Sequence, residues 1–261
     1  LSRKCFEIYK YWWNKTFDIF FRSKKKDVVL VHSSLLSLGK IENNVEGFYK
    51  AIRDVIGEEG TIIVPTFTYS FRRNEVFDQL QSPSPKQLGP FSEFIRTQDY
   101  SIRSQNPLFS FSANGPLAKK LVKCDTKFCF GENSIFRNFE KENIKIFGLG
   151  ITYTTGITSF IHIEKLAKVP YRFDKKFKGY SIDKLGNCKK DFAIHFLKKE
   201  SFFNNNITCR EAIGKILEIS NISKSIKLGS GNHFLINFKQ MVDKTYDILS
   251  KDPYFMIKGK K

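Results

Sequence analysis

The sequence predicts an α/β fold: a central, mostly parallel sheet flanked by helices. Three observations carry this. DVVLVHSS (27–34) and GTIIVPTFTYSF (60–71) are short β-branched runs of the kind buried on both faces of a sheet. NNVEGFYKAIRDVIG (43–57) between them has helical spacing, so strand, helix and strand form a βαβ unit with a right-handed crossover. IKIFGLG (144–150) is a further buried run, and it ends in glycine.

Taken in order, residues 1–26 come first. KCFEIYKYWWNKTFDIFFRSKKKD places Phe6, Tyr9, Trp13, Phe17 and Phe20 at helical spacing, while Lys4, Glu7, Lys10, Lys15 and Asp18 interrupt any membrane-spanning stretch. Two readings stay open: a helix laid on the domain, or an interfacial helix in peripheral contact with a membrane, its aromatics at headgroup level beside Lys24, Lys25 and Lys26. Residues 27–261 then read as a single domain. In the helix over 43–57, Asn43 or Asn44 can cap, Val45, Phe48, Ile52 and Ile56 share a face, and Gly57 stops it. Pro65 ends the second strand. Residues 72–89, with SPSP, form a long polar loop.

GPFSEFIRTQ (89–98) opens a short helix with Pro90 in its first turn. LFSFSANG (108–115) reads as a strand, and PLAKKLVK and NSIFRNFEKE as short helices, the latter capped by Asn133 or Ser134. Residues 171–208 are basic and alternating, with turn signals at Lys178–Gly179 and Leu185–Gly186, which predicts a small antiparallel excursion in the C-terminal half. CREAIGKILEIS (209–220) is helical, IKLGSGNHFLINF (226–238) is a hairpin, and KQMVDKTYDILSKDPYFMI (239–257) is an amphipathic closing helix.

Forty-four basic against 26 acidic residues leave a net charge of +18. This fits a general basic surface, a positive pocket for an anionic ligand, or a patch facing nucleic acid or membrane. With no paired-Cys zinc spacing, RNP motif or long Arg run, a nucleic-acid partner is not expected. The five cysteines (5, 124, 129, 188 and 209) lack CxxC spacing, which fits a reduced, cytoplasmic protein. Four scattered histidines give no metal site, and neither a dinucleotide-binding loop nor a P-loop is present. Oligomeric state is not encoded in any feature of the sequence.

The chemistry-bearing segments end strands. VHSS and VPTFT close two of them, and GITSFIHIEKLAKVPYRF (156–173) follows the third. In open α/β sheets, ligands bind outside the carboxyl ends of the strands. His162 lies in the last segment, inside an apolar run, where an imidazole is a core residue, a ligand or a general base.

VHSSLLSLG, GTIIVPTFTYSF, RSQNPLFSFSANG, FGENSIF, IFGLG and the His162–Glu164–VPYR stretch follow one another as in the aminoglycoside 3-N-acetyltransferase superfamily, which the chain resembles over residues 27–257. The resemblance implies the antibiotic N-acetyltransferase fold, distinct from the GNAT fold, and acetyl-CoA as co-substrate without a metal. VPYRF resembles more closely the members linked to surface-polysaccharide amino sugars than the drug-resistance enzymes. The implied reaction is acetyl transfer to the amine of an amino sugar, on a nucleotide-linked or glycan precursor or an aminoglycoside-type acceptor. The alternative is a catalytically retired member that binds membrane or nucleic acid.

The resemblance makes His162 the general base, and an imidazole suits removal of an amine proton near neutrality. Glu164 is the accompanying carboxylate. In the drug-resistance branch the acid lies three residues after the histidine; here Lys165 stands there and Glu164 comes two after. Residues two apart on a helix do not face each other, so in a regular helix another acid, such as Glu132 or Asp174, would orient the ring. His32, Ser33, Ser34 and Leu35 match the strand end lining the acetyl-CoA site, with backbone N–H groups near Ser33–Leu35 as oxyanion donors. Thr66 and Thr68, then Arg103, Ser104 and Ser110, match further CoA-lining stretches. Asn106 stands where many relatives have histidine. Tyr171 and Arg172 are expected at the acceptor, where an Arg fork suits phosphate or carboxylate. His195 and His233 have no motif partner and read as structural or surface residues.

Overall fold

In the computed structural model, VVLVHS forms β1 (Val28–Ser33) at the centre of a seven-stranded sheet. The structure describes residues 26–39, 41, 43–123, 127–202, 210–228 and 231–257. Apart from Lys26, the aromatic segment expected as a helix over 1–26 lies outside them. In chain order the elements after β1 are α1 (Asn44–Ile56), β2 (Thr61–Pro65), β3 (Phe77–Asp78), α2 (Pro90–Thr97), β4 (Ile102–Arg103), β5 (Phe111–Asn114), α3 (Ala118–Val122) and α4 (Phe136–Lys141). Then come β6 (Lys145–Leu149), α5 (Tyr153–Gly156), α6 (Ser159–Leu166), β7 (Arg172–Ile182), β8 (Cys188–Lys198), α7 (Glu211–Ile219), β9 (Ser223–Leu228), β10 (Gly231–Asn237) and α8 (Phe238–Lys251).

The sheet order is β4-β5-β2-β1-β6-β10-β9. β1 pairs in parallel with β2 and β6, while the four outer pairings are antiparallel. Only β5 and β10 therefore run against the other five strands. Every residue of β2 is buried, as are the first five of β1, because helices cover both faces. Phe48, Ile52, Val55 and Ile56 of α1 and Phe91 and Ile95 of α2 pack one face against Val29, Val31, Ile62 and Phe147. The other face meets a larger core from α3, α4, α6, α7 and α8, rich in phenylalanine.

The basic excursion is a long ribbon. β7 and β8 pair from Arg172↔Lys198 to Ile182↔Cys188, and β3 adds to β7. Lys127 and Cys129 tie it to the chain before α4 through backbone bonds with Ile194. The turn signal at Lys178–Gly179 is corrected: Gly179 lies inside β7, where an added Cβ would come 2.7 Å from Phe71. The turn is made at 183–187, where Asp183 Oδ1 accepts from the Leu185 and Asn187 N–H groups.

The second strand stops at Pro65 as expected, and the Thr66 and Thr68 N–H groups continue irregularly to the Ser110 and Leu108 carbonyls. Other boundaries shift for physical reasons. Asn43 sits in the left-handed region and makes no side-chain cap to α1. Ser134 Oγ turns back to the Gly131 carbonyl, and α4 begins at Phe136. The closing helix ends at Lys251, because Asp252 precedes Pro253 and is extended.

Candidate active site

The carboxyl ends of β1 and β6 are locked together by backbone. Ser34 N–H donates to Leu149 O at 2.8 Å, and Ser37 N–H to Ser34 O. Gly150 has φ +72°, and a Cβ there would stand 2.7 Å from Ser34 O; one on Gly231 would stand 2.8 Å from Gly150 Cα. Only glycine permits this three-way approach. Ser33, Ser34 and Leu35 are half-buried around the resulting turn, and Leu36 beside them is 94% exposed. Of the expected oxyanion donors, the Ser34 N–H is spent on Leu149. The His32 ring is buried with Nε2 unpartnered, and burial pushes its pKa down to about 4, so it is neutral at pH 7.

The next group expected to line CoA forms an internal clamp. Arg103 gives hydrogen bonds to Thr66 O, Thr68 Oγ1, Ser110 Oγ and Ser82 O, with its guanidinium over the Phe77 ring. Thr66 Oγ1 lies within hydrogen-bonding distance of Ser110 and Ser112 hydroxyls, and Ser104 Oγ accepts from Phe111 N–H. The side chains of Thr66, Thr68, Arg103, Ser104 and Ser110 are all buried, and these bonds join the loop after β2 to β5 and the segment before it. In this arrangement their polar atoms serve one another and brace the strand end where a cofactor was expected. Asn106 does likewise: its Oδ1 accepts from Leu108 and Phe109 N–H.

His162 and Glu164 both lie on α6, fully buried, and do not meet. His162 Nδ1 accepts from Gly131 N–H at 3.0 Å, and Nε2 is 2.9 Å from Glu140 Oε1. Phe136 stacks on the ring at 5.0 Å. With Nδ1 accepting, Nε2 carries the proton and donates to Glu140. Burial depresses the imidazole pKa more than Glu140 raises it. Burial works against the Glu140 carboxylate, yet bonds from His162 and Arg137 hold its pKa below the usual range.

Glu164 Oε1 accepts from Tyr171 OH at 2.8 Å. Its Oε2 lies 3.0 Å from Arg172 Nε and 3.5 Å from Arg210 Nη2, contacts of charge without hydrogen-bond alignment. Arg210 also donates to Ile157 O and lies over Phe160. Tyr171 is fully buried and its hydroxyl pKa is raised, first by burial and then by Glu164. Of the two residues expected at the acceptor, Tyr171 thus spends its hydroxyl on Glu164, and the Arg172 side chain is 7% exposed.

Two expectations for the catalytic pair therefore change. The acid beside His162 is Glu140, not Glu164, Glu132 or Asp174, because the helix sends positions 162 and 164 to different sides. The ring has no solvent-facing lone pair, as a base acting directly on an amine requires. Ile161, three residues before Glu164, is half-buried and occupies the helical neighbour position of that carboxylate. Sequence reading missed Glu140, hidden in the charged run FEKE, and Arg210, which borders residues 203–209. A hollow of about 250 Å³ reaches the outer side of Glu140. Another of about 290 Å³ lies beyond β6 beside Thr152 and Asn232. Among the described residues no three His, Cys, Asp or Glu side chains cluster as metal ligands, and no helix is long and apolar enough to cross a membrane.

A family model described as aminoglycoside 3-N-acetyltransferase matches residues 30–250. The aminoglycoside N(3)-acetyltransferase IV of Salmonella sp is 31% identical over 147 residues, 55% of this chain and only 54% of that protein's length. The SPbeta prophage-derived aminoglycoside N(3')-acetyltransferase-like protein YokD of Bacillus subtilis (strain 168) is 23% identical over 241 residues, 84% of this chain and 85% of its own. Among solved structures, aminoglycoside acetyltransferase AAC(3)-IIb superposes with a TM-score of 0.80 at 19% identity, covering 92% of this chain and 96% of that one. AAC-IIIb, in a binary complex with CoASH, gives 0.78 at 19% identity, covering 92% and 95%. At these identities the superpositions establish the shared fold.

Proposed function

The chain belongs to the aminoglycoside 3-N-acetyltransferase family, and on that premise we propose that it transfers the acetyl group of acetyl-CoA to the amine of an amino sugar. The observation that carries this reading is the convergence of three strand ends. Ser33–Leu35 after β1, Thr66–Thr68 after β2 and Gly150 after β6 stand at one end of the sheet, and reversed β5 brings Asn106–Ser110 there too. This is where an α/β sheet holds its ligands. The acceptor is a nucleotide-linked or glycan-precursor amino sugar, in keeping with the basic ribbon beside the site. The unpaired thiols of Cys129 and Cys188 fit a reducing compartment.

In the proposed step the free amine attacks the thioester carbonyl carbon. The C–N bond forms, the C–S bond breaks, and CoA leaves as a thiolate without a covalent acyl-enzyme. The proton lost from nitrogen passes to solvent. His162, enclosed between Glu140, Gly131 and Phe136, is a positioning residue that fixes the loop before α4 against α6. Glu164 organises Tyr171, Arg172 and Arg210 into the wall on the other side of α6.

Thiol release from acetyl-CoA with a panel of amino sugars tests the reaction. Steady release that needs the amine is expected; none with any amino sugar would sink it. The enclosed imidazole favours one second reading, a retired enzyme that binds anionic membrane or nucleic acid. That reading predicts salt-sensitive binding to anionic vesicles or RNA and no thermal shift with CoA.

A further inference from the structure

Arg72, in the turn after β2, is a cation without a carboxylate partner among the described residues. Its Nη2 lies 3.2 Å from His195 Nδ1 on β8. Its guanidinium carbon is 5.5 Å from the Tyr69 ring centre, 6.0 Å from Phe109 and 5.7 Å from Phe177. The acids nearest in sequence to this place are engaged elsewhere: Glu75 pairs with Arg73, and Asp174 with Lys165. Among the described residues Arg72 is in no ion pair. Lys175, directly across the ribbon from His195, brings its ammonium 5.5 Å from the same Phe177 ring. Two like charges thus flank one aromatic ring, and both residues are exposed.

His195 explains how Arg72 is aimed. The ring is 5% exposed and packed against Phe109 and Phe130. Burial, then the charges of Arg72 and Arg172, lower its pKa to about 3, so it is neutral and accepts the Arg72 N–H on Nδ1. An arginine held by an imidazole keeps its full charge, and its remaining N–H groups stay available for an incoming anion. The arrangement stands beside Phe109, in the Asn106–Ser110 segment at the ligand-binding end of the sheet.

We propose that Arg72 and Lys175 form a seat for a phosphate group on the acyl acceptor, with His195 as the positioning residue that orients Arg72. This deepens the acetyl-transfer reading and rests on it for the identity of the acceptor. Aromatic walls keep the cations in place, while the planar Arg fork suits phosphate oxygens.

The test compares glucosamine with glucosamine 6-phosphate, using wild type, R72Q, K175Q and H195Q. Wild type should favour the phosphorylated sugar in kcat/KM. R72Q should raise KM for that sugar about tenfold to a hundredfold, as loss of a charge-assisted bond to phosphate does, with glucosamine unchanged. K175Q should act in the same direction. H195Q, whose amide oxygen can still accept from Arg72, should retain most of the preference, and H195L should lose it. Equal loss for both sugars in R72Q, or no preference in wild type, overturns the seat. CoA and dephospho-CoA form a second arm: a drop in R72Q confined to CoA assigns the phosphate to the donor and overturns the proposal. Calorimetric binding of glucosamine 6-phosphate without acetyl-CoA separates the two claims. Binding lost in R72Q while no variant turns over retains the seat and removes the reaction; no binding by wild type removes the seat.

Discussion

His162 and Glu164 are two residues apart on α6 and serve opposite sides of it. One hydrogen-bonds Glu140 and stacks on Phe136; the other holds Tyr171 OH and faces Arg172 and Arg210. About 200° of helical rotation separates the two side chains, so neither can orient the other. The imidazole is part of the core, and the carboxylate anchors a cationic wall.

If His162 positions rather than deprotonates, His162→Gln should keep most of kcat. The pH–rate profile should rise through the pKa of the acceptor amine, with no limb near pH 6.5. His162→Ala should lower stability by about 1–3 kcal/mol, because Gly131 N–H loses its buried acceptor. Loss of turnover by a folded His162→Gln, with unchanged CoA binding, would return the base role to the ring.

Position 161, three residues before Glu164 on the same helix, is one from which an imidazole can reach that carboxylate. Ile161→His should introduce an acid limb near pH 6.5 and raise kcat/KM by about 100-fold or more, the usual scale of a positioned base. Steady-state rates from pH 5.5 to 9 decide this, and a profile identical to wild type counts against the site lying on that face.

Glu164→Gln removes one charge from among two buried guanidinium groups. Denaturant melts should show a loss of about 3–5 kcal/mol, since breaking one side of a buried pair leaves the other uncompensated. Tyr171→Phe should cost only about 1 kcal/mol. Equal losses in the two variants would mean that the arginines are solvated in solution.

Three buried histidines make the fold acid-sensitive. His32 and His195 have folded pKa values of about 4 and about 3, and that of His162 is also lowered, all against a usual 6.5. Unfolded chains then bind more protons in this window, so stability is full above pH 6.5 and falls as pH drops toward 4 and 3. Thermal melts between pH 7.5 and 4.5 should show a steep decline that His32→Gln makes shallower. A flat profile would mean that these rings reach water.

The parallel centre was readable because β1, β2 and β6 are β-branched runs separated by helical periodicity, and the ribbon because residues 172–198 alternate. Its turn was half readable: Leu185–Gly186 marked it, but Gly179 was a packing glycine whose need is set by Phe71, distant in sequence. The site was legible as a list of strand-end segments and not as a set of contacts. Thr66, Arg103 and Ser110 look like ligand-binding residues in sequence, and only the register of β2 on β5 turns them inward to each other. Glu140 and Arg72 have no motif, since their partners are 22 and 123 positions away.

The rims of the sheet bear on association between copies. At one margin β4 has only two residues; at the other β9 carries exposed Lys224 and Lys227. A short margin and a charged one are both poor templates for an incoming strand. Edge-to-edge stacking into fibrils is therefore disfavoured at both margins, and copies that do assemble would meet through helices or the ribbon.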